Sequence, residues 1–187
     1  MFEKNEKPGG MLTYGIPSYK LEKDVVEAEI DIIRALGVEI KCGVEVGKDI
    51  TLDELRKDGY EAFYIAIGCQ GSRKSGVDGE DADGVKSAVD ILHEIAENHD
   101  LDLKGNKTVV IGGGNVAVDV ARSTKRCGAD ILGMFCLESR EEMPASEEEI
   151  FETEDEGIQI NNGWGVKEIL AAVSYTHLRA HETLANL

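Results

Sequence analysis

With 187 residues, 42% of them hydrophobic and 30% charged, the chain can form one domain or parts of two and has the make-up of a folded globular protein. The formal net charge of -17 comes from 37 acidic against 20 basic residues dispersed along the chain. Such a surface repels polyanions, so no nucleic-acid partner and no membrane partner is expected.

Four cysteines, Cys42, Cys69, Cys127 and Cys136, make no C-x-x-C pair and no metal-ligand spacing. They read as small core hydrophobes in a reduced, cytoplasmic compartment. No apolar run has membrane-spanning length, and the opening Met1-Phe-Glu-Lys-Asn-Glu-Lys is not a signal peptide.

In chain order, Phe2-Glu3-Lys4 followed by Lys7-Pro8-Gly9-Gly10 reads as the end of a strand and a glycine turn. No strand or helix precedes it, so a domain is expected to begin in its middle. Lys20 to Gly37 has the spacing of an amphipathic helix, with Val26, Ile30 and Ile33 on one stripe, broadened by Val25, Ile32 and Leu36, and Gly37 as its stop. Val38 to Cys42 alternates like a strand. Thr51 and Glu54 form a capping-box pattern that predicts a short helix over 52–57. Glu61 to Gly68 is apolar on both faces, which predicts a strand buried within a parallel sheet.

From Cys69 to Lys86 the composition turns to Gly, Ser, Asp and Lys, the mark of a connector. Ser87 and Asp90 predict another helix start, with Ile91, Leu92 and Ile95 on its apolar side. His93 and His99 lack partners at ligand spacing and read as surface residues. Leu103 to Lys107 closes the connector.

A second unit then opens with Thr108-Val-Val-Ile-Gly112-Gly113-Gly114-Asn115-Val-Ala117, an apolar β-branched run, a glycine cluster and apolar residues at helical spacing. Gly112, Gly114 and Ala117 match G-x-G-x-x-G/A: a tight turn, close backbone approach to a pyrophosphate, and close packing of helix on strand. The helix N-terminus beyond offers unpaired N–H groups to the phosphates. An ordinary strand-to-helix turn could carry the same glycines, but strand before and helix after are the context that nucleotide binding requires.

Gly128 ends that helix, and Ile131 to Leu137 reads as the next strand. Glu138 ends it, 26 positions after Gly112, where about 20 is typical of the acid that binds the cofactor's ribose. A carboxylate there would accept hydrogen bonds from both ribose hydroxyls of NAD and repel the 2′-phosphate of NADP; the alternative is a solvated strand-end charge. Ser146-Glu147-Glu148-Glu149 suits a helix start, and Ile158 to Ile160 a further strand. His177 and His181 are spaced as an i, i+4 pair on a helix, but with no third ligand no metal site is expected. The run around them resembles a translated sequencing-library adapter, so residues 173–187 are expected to be a non-native tail.

Four motifs carry a family resemblance: Glu6-Lys-Pro-Gly-Gly-Met-Leu-Thr-Tyr-Gly-Ile-Pro17, Tyr64-Ile-Ala-Ile-Gly68, Val110-Ile-Gly-Gly-Gly-Asn-Val-Ala-Val-Asp119 and Ser139-Arg-Glu-Glu-Met-Pro-Ala145. From Met1 to about Ala171 the chain resembles the small subunit of glutamate synthase and related FAD/NAD(P)-dependent oxidoreductases. The resemblance implies an α/β fold of two Rossmann-like dinucleotide-binding units, an FAD domain with an inserted NAD(P) domain, both incomplete here. Residues 1–103 would be a partial FAD-binding domain and connector, and 104–172 a partial NAD(P)-binding domain.

By that resemblance Glu3 holds the FAD ribose, Gly10 lies beside the flavin pyrophosphate, and Val46 and Gly68 line the FAD site with their backbone. Gly112, Gly113, Gly114 and Asn115 fall on the pyrophosphate turn of the nicotinamide cofactor. No side chain takes an acid or base role, because the cofactors supply the hydride chemistry.

The family's FAD glycine fingerprint and its cysteine-rich iron–sulfur segment would lie before Phe2, and the returning part of its FAD domain after Ala171. The chain as written is therefore not expected to hold FAD firmly. NADPH-using members commonly carry two arginines where this chain has Leu137-Glu138, which favours NADH, although Arg140 could still reach a phosphate.

The expected activity is electron transfer from NAD(P)H through FAD to a redox partner, as in glutamate synthase, whose large subunit makes glutamate from glutamine and 2-oxoglutarate. Two alternatives are an NADH-dependent subunit serving ferredoxin, a quinone-linked or a hydrogenase-type complex, and a non-catalytic nucleotide-binding fragment. A dithiol reductase would need a cysteine pair that the sequence lacks.

Overall fold

A computed structural model describes residues 1–172 and 175–182, with side chains described through residue 170. The chain divides into two compact units, residues 1–70 and 71–187. The break falls before the connector and not after it at 103. The helix predicted from Ser87 belongs to the second unit because its apolar side is buried in that unit's core.

The first unit holds three helices, α1 (Met11–Tyr14), α2 (Lys23–Ala35) and α3 (Leu52–Lys57). The Pro8-Gly9-Gly10 turn is tied to α1 at two points: the Lys7 N–H donates to the buried Tyr14 hydroxyl at 2.9 Å and the Thr13 hydroxyl donates to the Pro8 carbonyl at 2.8 Å. The α2 stripe is half realised. Val26 is buried, while Val25, Ile32, Ile33 and Leu36 remain exposed. The capping box of α3 forms as predicted, with the Glu54 N–H donating to Thr51 Oγ1 and the Thr51 N–H donating to Glu54 Oε2.

Both predicted strands of this unit fall short of strands. Val38 to Cys42 contributes a single parallel bridge, Lys41 to Phe2, flanked by hydrogen bonds from Lys41 N to Met1 O and from Glu3 N to Lys41 O. Glu61 to Gly68 has no ladder pairing among the described residues, and Tyr64, Ile65 and Ile67 are 94%, 73% and 83% exposed. A run apolar on both faces becomes a buried strand only with neighbours on both edges and layers on both sides; the described residues of this unit supply neither.

The second unit follows βαβαβ order. After α4 (Ala88–Glu97), the strand β1 (Lys107–Ile111) leads through α5 (Asn115–Arg126) to β2 (Asp130–Cys136). From there α6 (Glu147–Asp155) leads to β3 (Ile160–Asn162). The three strands form a parallel sheet in the order β1-β2-β3, with Val110 opposite Met134 and Met134 opposite Ile160. Ser87 and Ser146 cap α4 and α6 as their sequences predict.

The core lies where α5 packs on β1 and β2 and is flanked by α4 and α6. Val118, Ala121 and Met134 are completely buried there, with Ile91 and Leu92 of α4 and Ile150 of α6 joining them. Burying a Val, Leu, Ile or Met side chain contributes roughly 1.5–3 kcal/mol each, and this stabilisation holds the three-stranded sheet and its helices together.

β4 (Trp164–Ala172) and β5 (Tyr175–Glu182) then pair antiparallel. Most of the expected non-native tail thus has the backbone of a strand. His177 and His181 sit opposite Leu170 and Gly165 in that ladder and not on a helix; Val173, Ser174 and residues 183–187 lie outside the described residues. No helix among the described residues is long and apolar enough to cross a membrane.

Candidate dinucleotide site

The glycine turn sits where β1 delivers the chain to α5, at the end of the parallel strands where ligands of such sheets bind. Gly112 has φ +131, a conformation that side-chain-bearing residues rarely adopt, and its N–H donates to the Phe135 carbonyl at 2.9 Å. A Cβ built on it would lie 3.2 Å from the Ala117 Cβ. The first and third positions of the motif therefore touch, and the small residue at 117 is what permits that contact.

Gly113 has a different reason to be glycine. An added Cβ would come within 3.0 Å of the Cys136 Cβ and 3.2 Å of Glu138 Oε2, so the turn is pressed against the end of β2. At Gly114 a Cβ would meet nothing within 4 Å. The glycine here faces open space, as a backbone that approaches a ligand must.

Helix capping sets this spot apart within the second unit, although α1 and α2 of the first unit also start without a side-chain cap. α3, α4 and α6 each begin with a hydroxyl side chain accepting a backbone N–H, and each has an acid in its first turn. The N-cap of α5 is Gly114, which makes no side-chain cap, and its first turn holds no acid. The first N–H groups and the positive end of the helix dipole are left for an anion. These residues fit a dinucleotide pyrophosphate.

Glu138 lies half-buried just past β2. Its backbone carbonyl accepts from the Gly163 N–H and from Asn162 Nδ2, both at 3.2 Å, and its carboxylate reaches the flank of Gly113. Beside it, burial and the Glu138 charge push the Cys136 thiol up, so Cys136 stays a neutral core residue. Arg140 is engaged by Glu147 at 3.2 Å.

Two contacts around the turn escape a reading of the sequence. The Ala145 N–H donates to the Gly113 carbonyl at 3.0 Å, and the Ser146 N–H donates to Asn115 Oδ1 at 3.0 Å, so the 139–146 loop is clasped to the turn. Arg122, 5% exposed, bonds Glu156 at 2.8 Å, Glu152 at 2.5 Å and Glu149 at 3.3 Å, joining α5 to α6. Burial raises the Glu156 carboxyl, but hydrogen bonds from Arg126 and Arg122 outweigh it and leave the group below the ordinary carboxylate value.

Positions implicated in flavin binding lie in the first unit. The Glu3 carboxylate accepts the Asn5 N–H at 2.9 Å, and the Val44 N–H donates to the Glu3 carbonyl at 3.0 Å, which brings the segment leading to Val46 beside it. Val46 bridges to Ile50 and is 41% exposed. Gly10 is the N-cap of α1, and a Cβ there would approach Gln70 Nε2 at 4.0 Å. Gly68 ends the unpaired 61–68 run with nothing within 4 Å of an added Cβ. These residues do not assemble a walled site comparable to the glycine turn.

A separate hollow of about 260 Å³, lined by residues that include Asp102, Lys104, Arg126 and Cys127, lies at the opposite end of α5. Among the described residues no group of three or more His, Cys, Asp or Glu could hold a metal.

Residues 6–183 match the pyridine nucleotide-disulphide oxidoreductase family. The chain belongs to that family. Among curated relatives, the NADP(+)-dependent formate dehydrogenase subunit beta of Moorella thermoacetica is 42% identical over 160 residues, covering 84% of this chain and 22% of the relative. The glutamate synthase [NADPH] small chain of Escherichia coli K12 is 34% identical over 169 residues, covering 85% of this chain and 36% of the relative. The chain thus spans well under half the length of either. In fold it is similar to FprA of Mycobacterium tuberculosis, solved in complex with NADPH, with a TM-score of 0.70 at 17% identity over 96% of this chain and 59% of that one.

Proposed function

We propose that the turn at Gly112–Ala117 holds the pyrophosphate of a nicotinamide dinucleotide, and that the longer protein passes electrons from that cofactor through FAD to a redox partner subunit. The observation that carries the reading is the uncapped, acid-free start of α5 above a glycine with open space at its Cβ position, beside the Glu138 carboxylate. The nicotinamide supplies a hydride and the flavin hands its electrons on. The protein's part is to bind and align: the first N–H groups of α5 meet the pyrophosphate and Glu138 meets the ribose.

Cofactor choice rests on Glu138. Leu137 is exposed, position 138 carries an acidic side chain, and Arg140 lies 3.2 Å from Glu147, so a 2′-phosphate would meet acidic groups and NADH is favoured. The relatives above are named for NADP(+) and NADPH, which makes this the point to test. Titrating the chain with each nucleotide should give the lower Kd for NADH, and Glu138→Arg should weaken NADH by about tenfold or more, the worth of a charge-assisted hydrogen bond. Tighter binding of NADPH to the unmodified chain would refute the role of Glu138.

For the partner, the large subunit of glutamate synthase is one reading, with ferredoxin or another redox complex as the second. The second is favoured by the Leu137-Glu138 pair and by the likeness to a formate dehydrogenase subunit. Copurification from the source cell with a glutamate synthase large subunit would decide for the first. The chain by itself would be a nucleotide-binding fragment without turnover. Purification of a yellow protein with stoichiometric FAD would overturn that.

A further inference from the structure

We infer that Asn115 is a positioning residue for cofactor selectivity, acting through the 139–146 loop and not by touching the cofactor with its side chain. The inference rests on the dinucleotide reading of the turn. Asn115 is the first residue of α5, and its amide oxygen is taken by the Ser146 N–H at 3.0 Å. Ser146 is in turn the N-cap of α6. One side chain therefore ties the start of the helix that would meet the pyrophosphate to the start of the next helix.

The loop between them carries what would discriminate the two nicotinamide cofactors. Glu138 precedes it with its carboxylate against Gly113, and Arg140 within it is held by Glu147, the residue after Ser146. While Ser146 is clasped to Asn115, the start of α6 is anchored where the exposed Glu147 carboxylate pairs with Arg140 at 3.2 Å. Release of the clasp frees the first turn of α6 to shift, and Arg140 becomes available to a 2′-phosphate. The backbone bond from Ala145 to the Gly113 carbonyl and the burial of Met143 and Ala145 keep the loop near the turn, so the change is one of selectivity and not of folding.

The decisive quantity is the ratio of Kd for NADPH to Kd for NADH, measured by titration of the full chain. Asn115→Ala should move that ratio toward one by about threefold to tenfold, the worth of one hydrogen bond, and should speed hydrogen exchange at the Ser146 amide. Asn115→Asp keeps an acceptor for Ser146. Its added charge lies beside the pyrophosphate, which both nucleotides share, so it should weaken both together and leave the ratio within about twofold of the original. A general structural defect would not be rescued in the ratio while both affinities fell.

Binding of neither nucleotide to the unmodified chain would overturn the dinucleotide reading and this inference with it. A preference for NADPH in the unmodified chain would overturn the assignment of Glu138 alone, and Asn115→Ala would still have to move the ratio. An unchanged ratio in Asn115→Ala, or an Asn115→Asp ratio that collapses like that of the alanine variant, would overturn the inference while leaving the dinucleotide site in place.

Discussion

The segments Thr108–Ile111, followed by Gly112, and Glu61–Ile67, followed by Gly68, are both largely apolar runs that lead into a glycine, and they meet opposite fates. The first lies within β1, paired in parallel with β2, with α5 packed on it and Val110 6% exposed. The second is extended and unpaired among the described residues, its isoleucines facing solvent. Their side chains differ little, so the difference lies in what surrounds them. β1 has a neighbouring strand and a helix whose buried side supplies Val118 and Ala121. A strand is a property of a set of segments, and apolar content only qualifies a segment to join one.

Substitutions can break this contrast in order of expected size. Met134 lies at the centre of the sheet and is completely buried, so Met134→Ala should cost about 2–5 kcal/mol by leaving a cavity. Urea unfolding followed by fluorescence of Trp164, the only tryptophan, would measure it. Arg122→Ala removes the buried cation shared by Glu149, Glu152 and Glu156. Because those carboxylates keep part of their hydration, the expected cost is about 2–3 kcal/mol, below that of breaking a fully buried pair.

A smaller effect follows from pH. The Glu156 carboxyl sits below its ordinary value in the folded state, so its contribution is present above the unfolded value of about 4.3 and is lost as pH falls through the lower, folded one. Stability of the second unit should fall over that acid range, and Glu156→Gln should flatten the fall. At the bottom of the scale, Ile67→Ala should change stability by less than about 0.5 kcal/mol, read by hydrogen exchange within the first unit. A loss near that of Met134→Ala would show that the 61–68 run is packed after all.

Local chemistry accounts for what was legible beforehand. Thr51 with Glu54, Ser87 with Asp90, and Ser146 ahead of three glutamates place helix starts to the residue, because a cap is made within four positions. The glycine spacing likewise pointed to the close packing of α5 on β1, where an added Cβ on Gly112 would lie 3.2 Å from the Ala117 Cβ. What could not be read depends on distant segments: the partners of residues 61–68, the unit to which α4 belongs, the clasp between Asn115 and Ser146, and the joining of Arg122 to α6 across some 30 positions. The asparagine after the third glycine and the buried arginine at position 122 were visible residues, but nothing within one turn announces their partners.

The missing cap of α5 has a thermodynamic consequence. Three other helices carry their own N-terminal acceptor, and α5 would borrow its acceptor from the cofactor, so occupancy and folding become linked. At a nucleotide concentration 100 times Kd, linkage adds about 2.7 kcal/mol to the resistance of this unit to unfolding. A cell short of the dinucleotide, oxidised or reduced, would then hold a pool that melts sooner than the same pool in a replete cell, because both forms carry the pyrophosphate that caps α5.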